Sequence, residues 1–398
     1  MAYVFVADDF TGASDTLATL ARAGYRARLY RDLPDPGALA GIEAWGIATA
    51  ARSLDRRDIA SLAARIGSGL ARHAPRFLHV KICSTFDSSA DTGNIALLAR
   101  GLALATGIAD IAVIGGQPSL GRHAIFGTLF ARGPDGRTHR IDRHPVMAAH
   151  PVTPMHEADL IRHLATLGLT GLHHVGRGQS GLGFPRFYDA LDQADVTAAG
   201  QDLLATGKPL VVMGASSVAE GWLVAQAPRT IAKRPDIRAQ GPVFAFAGSR
   251  SPQTAAQIAA ADGLERLGIA PANLLDDPGP ALHWAQARLA RGQDCLVHLT
   301  AETAGIPPAR LAQASAAFVG DVVARTRPGG LVVAGGDTSS AIVTLLAPDW
   351  LDYAADLCPG VPLLRAQVNG TGLLLALKGG QMGADSFFAG AIAAMRGG

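Results

Sequence analysis

Short apolar runs recur from one end of this chain to the other. Each is stopped by a Gly-, Ser- or Asp-bearing turn and followed by an Ala/Leu-rich stretch of helical length. The pattern predicts strands at 3–7, 28–30, 45–48, 77–81, 111–114, 209–213, 243–247, 295–299, 330–334 and 372–378. It predicts helices at 14–23, 57–71, 94–105, 254–267, 308–325 and 340–346. Such alternation reads as an α/β protein with largely parallel or mixed sheets flanked by helices. A length of 398 residues exceeds one ordinary core, so two domains are expected. The polar, basic stretch 228–242 carries prolines at both ends and reads as a linker. The boundary is set near 235, giving domains 1–235 and 236–398.

Composition removes several function classes. Hydrophobic residues make up 48% and charged residues 17%, and the net charge is only +2. No basic block stands out, so nucleic acid is not expected as a partner. Three cysteines without C-x-x-C spacing fit a reducing cytosol better than a disulfide framework or zinc site. No signal peptide opens the chain, and no apolar stretch approaches the ~20 residues that span a bilayer. A homodimer is the modest prior for a small-molecule enzyme.

In parallel α/β sheets, ligands bind beyond the carboxyl ends of strands, so each strand-to-turn junction is a candidate site. The first strand runs into Asp8 and Asp9. Adjacent carboxylates there can raise one pKa and make a base, or hold a cation; the plainer alternative is turn capping and exposure. Ser14 reads as the N-cap of the next helix. The strand at 77–81 runs into Lys81-Ile-Cys-Ser84-Thr85-Phe-Asp87-Ser-Ser, a cation, four hydroxyls and a carboxylate within nine residues. That inventory suits an oxygen-rich anionic small molecule. Arg52 can add a bidentate contact to a ligand carboxylate. Only four lysines occur, at 81, 208, 233 and 378, and Lys81 and Lys378 each end a candidate strand at such a junction.

Three later junctions, after 247, 334 and 378, each combine Gly with Ser or a second Gly before a helix. Unpaired amides and a positive helix end favour phosphate there. None matches G-x-x-x-x-G-K-[ST]. Gly176-Arg-Gly178-Gln-Ser-Gly181 fits the dinucleotide fingerprint, but Gly183 and Pro185 break the helix it needs. The histidines between 139 and 174 match no metal-ligand spacing and read as satisfied loop residues.

Taken together, ADDFTGASD at 7–15, KICSTFDSS at 81–89, HPVTPM at 150–155, GGDTSS at 335–340 and LALKGGQMG at 375–383 resemble the signatures of the four-carbon acid sugar kinases. The resemblance implies an N-terminal domain for the acid sugar, a C-terminal domain for ATP, and an active site in the cleft between them. It implies transfer of the γ-phosphate, with Mg²⁺, to a terminal hydroxyl of 3-oxo-tetronate, 3-oxo-isoapionate or a close relative. Asp8, Asp9, Arg52, Lys81, Ser84, Thr85 and Asp87 then fall on the substrate side, with Asp8 or Asp9 as catalytic base. Ser249, Ser251, Gly335, Gly336, Asp337, Thr338, Ser339, Gly379 and Gly380 fall on the nucleotide side, and no residue is assigned as a metal ligand. The segment 115–132 departs from the family pattern, which bears on the acceptor more than on the reaction. A nicotinamide-dependent dehydrogenase and a two-lobed sugar-acid binding protein are the competing classes.

Overall fold

The computed structural model describes residues 3–150, 152–181, 183–230, 237–301 and 305–397. The chain divides into two compact units, Met1–Ile231 and Ala232–Gly398. The boundary expected at 235 lies outside the described residues.

The first unit contains strands β1 (Tyr3–Ala7), β2 (Ala27–Tyr30), β3 (Ala44–Ala48), β4 (Phe77–Lys81), β5 (Asp110–Ile114), β6 (Gly116–Gln117), β7 (Arg122–Ile125), β8 (Thr128–Arg132), β9 (Thr138–Arg140), β10 (His173–Val175), β11 (Arg186–Tyr188) and β12 (Leu210–Gly214). Its helices are α1 (Phe10–Arg22), α2 (Arg56–Ala71), α3 (Ile95–Thr106), α4 (Leu160–Thr166), α5 (Gln193–Ala205) and α6 (Ser217–Val224). Its main sheet runs β10-β11-β5-β12-β4-β1-β3-β2 with every neighbouring pair parallel. β6 to β9 form a separate antiparallel sheet.

The second unit contains β13 (Val243–Ala247), β14 (Glu265–Ile269), β15 (Cys295–Leu299), β16 (Gly330–Ala334), β17 (Leu351–Cys358), β18 (Val361–Val368) and β19 (Thr371–Lys378). Its helices are α7 (Pro252–Ala259), α8 (Pro271–Asp276), α9 (Gly279–Leu289), α10 (Pro308–Thr326), α11 (Gly336–Leu346) and α12 (Phe387–Arg396). The strands run β17-β18-β19-β16-β13-β15-β14, antiparallel among the first three and parallel thereafter.

The central strands β1, β3, β4, β12, β13 and β16 are buried at every residue. Helices on both faces of a parallel sheet demand that, which is why these strands are apolar but for His79 and Lys81 of β4. Elsewhere the local signals mislead. α1 starts at Phe10, four residues before Ser14, because the Asp9 carboxylate caps it by accepting from the Gly12 amide at 2.6 Å. The helix expected over 254–267 stops at Ala259, and Glu265–Ile269 instead pairs with β15. α11 begins at Gly336 rather than 340. The polar, His- and Pro-rich segment 130–154 opens with the end of β8 and with β9.

One core polar group makes the fold acid-sensitive. His79, fully buried on β4, accepts from the Tyr3 hydroxyl at Nδ1 (2.9 Å), while Nε2 faces the Gly214 carbonyl at 3.2 Å. Burial pushes its pKa down to about 3, helped by Lys81 and opposed by the backbone carbonyls. The unfolded histidine titrates near ~6.5. Above that pH neither state binds the proton; below it only the unfolded state does, until the pH nears 3. Stability should therefore fall with acidity across that window, with a limiting slope of ~1.4 kcal/mol per pH unit from this group. Urea unfolding from pH 7 to 4 should show a shallower slope in His79→Asn; equal slopes would refute the assignment.

Candidate functional site

Each unit turns its chain the same way. β3 and β4 flank β1, and β15 and β16 flank β13, so connections leave the first strand toward both sides. Such a switch point opens a crevice at the carboxyl edge. The candidate residues gather at these two places.

In the first unit, Asp8 and Asp9 follow β1, and Lys81 ends β4 beside it. The Asp8 amide donates to the Lys81 carbonyl at 3.0 Å, and the Arg52 amide donates to the Asp8 carbonyl at 3.1 Å. This backbone ties three segments together. Arg52 then bridges two carboxylates: Nη1 meets Asp9 Oδ2 and Nη2 meets Asp87 Oδ1, both at 3.1 Å. Both forked ends that were expected to grip a ligand carboxylate are thus already engaged, and Nε is buried without a partner. Asp87 also accepts from the Thr85 hydroxyl and from Thr153 Oγ1, the latter at 3.2 Å. Burial pushes Asp87 up, but Arg52, His150, Thr85 and Cys83 hold it below the usual carboxylate range.

Asp8 differs from its neighbour. Asp9 is committed to the α1 cap, the Thr11 hydroxyl and Arg52. Asp8 is 2% exposed, and its Oδ1 has no hydrogen-bond partner. Burial pushes its carboxyl up to about 7; Arg52 and Lys81 pull down, and Asp9 and Asp87 add to the rise. Lys81 lies over the start of α1 and donates to the Ile82 carbonyl at 2.6 Å. A Cβ on Gly12 would sit 2.6 Å from Lys81 Nζ and 2.7 Å from Asp9 Oδ1, so any other residue would displace one or both from these positions. Ser84 and Thr85 are buried in the turn after β4, where Phe86 adopts a left-handed φ of 56°. Such backbone is held by its surroundings and clusters at functional sites.

In the second unit the three Gly-bearing junctions meet. The Gly248 and Ser249 amides both donate to the Ala334 carbonyl at 2.9 Å, and the Gly335 amide donates to the Lys378 carbonyl at 2.8 Å. Gly335 has φ 128°, a conformation open essentially to glycine, and offers no side chain to cap α11. The first amides of α11, at Gly336, Asp337 and Thr338, therefore lack the intrahelical and capping partners that later residues have. The Ser339 hydroxyl is buried there without a partner, and Asp337 is exposed in the first turn. A Cβ on Gly248 would lie 2.3 Å from Thr338 Oγ1, and one on Gly380 would lie 2.5 Å from Ser249 Oγ. Ser251 caps α7 by accepting from the Thr254 amide, and its hydroxyl donates to the Gly380 carbonyl at 2.6 Å.

The sequence placed Lys378 beside an anion cradle, yet its side chain points inward. It is fully buried, with Nζ donating to Thr254 Oγ1 and the Gly379 and Gly380 carbonyls. Burial pushes its pKa down to about 8. Thr153, Thr254 and Gln257 went unnoticed. Thr153 sits in the HPVTPM stretch (Pro151 lies outside the described residues), which carried a signature without an assigned role. Thr254 and Gln257 are three residues apart on the buried face of α7, and that polar spacing was a usable signal. Between β10 and β11, where 176–181 fits the dinucleotide fingerprint, the described residues form turns and no helix. The histidines of that region pair locally, for instance His139 with Asp135 and His174 with Asp189.

Comparison with known proteins agrees with this division. Residues 3–222 match the family model of a sugar-binding N-terminal domain, and residues 244–388 match that of a nucleotide-binding C-terminal domain. A 3-oxo-isoapionate kinase of Paraburkholderia graminis is 33% identical over 446 aligned positions, covering 96% of this chain and 92% of that protein. A 3-oxo-tetronate kinase of Methylobacterium radiotolerans is 31% identical, with 96% of each chain covered. A solved structure from Salmonella typhimurium LT2 superposes with a TM-score of 0.77 over 98% of both chains at 23% identity, a likeness of fold. With both domain models matched in order and relatives aligned nearly end to end, this chain belongs to the four-carbon acid sugar kinase family.

Proposed function

We propose that this protein phosphorylates the terminal hydroxyl of a 3-oxo acid sugar of the 3-oxo-tetronate or 3-oxo-isoapionate type, using ATP. The names of the aligned relatives support the substrate class. The observation that carries the chemistry is Asp8, a buried carboxylate at a strand end whose Oδ1 has no partner. It is the better of the two candidate bases, since Asp9 is held by a helix cap and an ion pair. Asp8 takes the proton of the acceptor hydroxyl as that oxygen turns nucleophilic. Lys81 supplies positive charge near the acceptor, and the Arg52–Asp9–Asp87 network fixes the floor of its pocket. Ser84 and Thr85 hold further acceptor oxygens.

On the nucleotide side, the uncapped start of α11, the unpartnered Ser339 hydroxyl and the bare-backbone turn at 379–380 fit a polyphosphate, which needs donors and close backbone approach. Gly335, Gly336, Thr338 and Ser249 complete that cradle, with Asp337 at its rim and Ser251 bracing it. Bound ATP supplies the transferred phosphoryl group, with Mg²⁺ offsetting its charge. Among the described residues no group of three or more His, Cys, Asp or Glu side chains converges as a metal site. Mg²⁺ would be carried on the phosphates, with at most one or two carboxylates beside it, as is usual for this ion.

Coupled ADP release with 3-oxo-tetronate and 3-oxo-isoapionate tests the proposal. Turnover with one or both, dependent on ATP and Mg²⁺, is the expected result. Absence of ADP release with either acid, together with oxidation of a sugar acid by NAD(P)⁺, would replace the kinase reading by the dehydrogenase.

A further inference from the structure

The turn after β19 is built inside out. Six residues, Gly379 to Ala384, hold five carbonyl oxygens that protein side chains draw to one side. Lys378 Nζ takes those of Gly379 (3.1 Å) and Gly380 (3.3 Å). Ser251 and Thr254 hydroxyls also reach the Gly380 oxygen, at 2.6 and 3.0 Å. Gln257 Nε2 lies within hydrogen-bond distance of three more, those of Met382 (2.9 Å), Gly383 (3.0 Å) and Ala384 (3.0 Å), which share its two hydrogens. Gln253 Nε2 adds a second donor to Gly383, at 3.0 Å. Gln257 and Lys378 are both fully buried.

A trans peptide is planar, with each carbonyl opposed to the N–H of the next residue. Pulling these five oxygens inward turns the amides of Gly380, Gln381, Gly383, Ala384 and Asp385 the other way. Among the described residues none of those five amides donates a hydrogen bond, whereas the Met382 amide closes a turn onto Gly379. Successive outward amides of this kind make an anion-binding concavity. The Gly380 end of the row lies against Ser249 and Ser251, inside the cradle described above.

We propose that Gln257 and Lys378 are positioning residues for the polyphosphate: without touching it, they hold the carbonyls of the 379–384 turn inward so that its amides face the ligand. The inference rests on the nucleotide-site reading above and deepens it. Gln257 is the sharper handle, because one primary amide fixes three consecutive peptides. Gln257→Glu keeps the shape and sets a carboxylate against three carbonyl oxygens; Gln257→Met removes the donors without adding charge.

The test is calorimetric titration of the full chain and both variants with ADP and, separately, with adenosine, alongside thermal unfolding. Losing the equivalent of one charge-assisted hydrogen bond corresponds to roughly a tenfold change in affinity. ADP should weaken by about that factor or more in both variants, with adenosine within twofold of wild type, and KM for ATP should rise more than kcat falls. If Gln257→Glu does not fold, Gln257→Met is read alone. Unchanged ADP affinity, or parallel weakening of ADP and adenosine, would overturn the positioning role while leaving the nucleotide site standing. A wild-type chain that binds neither ligand would overturn the site and the inference together.

Discussion

Asp8→Asn should lower kcat by ~10²–10⁴-fold, the usual share of general-base catalysis, with ADP affinity unchanged. The substitution keeps the shape of the side chain and removes only its ability to take a proton. The pH dependence gives a second readout. A base must be ionised, and Asp8 titrates at about 7. Wild-type turnover should therefore fall toward tenfold per pH unit on the acid side of 7, and the variant should lose that limb. Stability should move the other way. A carboxyl whose folded pKa is raised opposes folding once the unfolded group ionises, from about pH 3.9 up to about 7. Above that window the variant, which has no buried charge to strand, should unfold at or above the wild-type midpoint. Turnover within threefold of wild type would remove Asp8 from the chemistry. A large loss of both activity and stability would make it a structural residue instead.

Arg52→Leu should destabilise the first unit by ~3 kcal/mol, the lower end expected when one partner of a buried ion pair is deleted. The lower end is apt because Arg52 keeps 18% exposure, whereas its partners Asp9 and Asp87 keep 7% and 2%. Removing the guanidinium leaves two nearly dry carboxylates facing each other, beside a third at Asp8. Asp87 is held below its ordinary range in the folded protein, so its contribution is present at neutral pH and lost as the pH falls through that lowered value. The deficit of Arg52→Leu should accordingly be largest at pH 7 and shrink toward pH 4, where the stranded carboxylates can protonate. Adding Asp87→Asn should recover part of the loss. A urea-derived loss below ~1 kcal/mol at pH 7 would show the network to be no more than a surface pair.

Which parts of this molecule could be read from its residues depends on what surrounds them. β1, β4, β13, β15 and β16 have the expected bounds because a strand covered on both faces is mostly apolar, and such a run has clear ends. β14 escaped because Glu-Arg-Leu-Gly-Ile is mostly exposed and continues the pattern of the helix before it. Ser14 was read as the cap, but the Asp9 carboxylate lies within reach of the Gly12 amide and takes that role, and reach is a matter of geometry. The junctions at 8–9, 81–87, 248–251, 335–339 and 379–380 could be named as candidates because ligands of a parallel sheet bind beyond the carboxyl ends of its strands. Which side chains there remain available was not. Arg52 meets Asp87 across 35 positions, Thr153 meets Asp87 across 66, and Lys378 meets Thr254 across 124. Nothing local in the sequence announces such partners.

The order of the segments has a consequence for how the protein comes into being. The proposed acceptor pocket draws on residues from Asp8 to Thr153, so its walls are synthesised before the second unit begins. The proposed phosphate cradle needs β19 and the turn after it, which follow much later in the chain. A nascent chain interrupted before Thr371 would hold the residues of the proposed sugar pocket but lack part of the proposed seat for the phosphoryl donor, so the competence to react would arrive only once β19 and its turn are made.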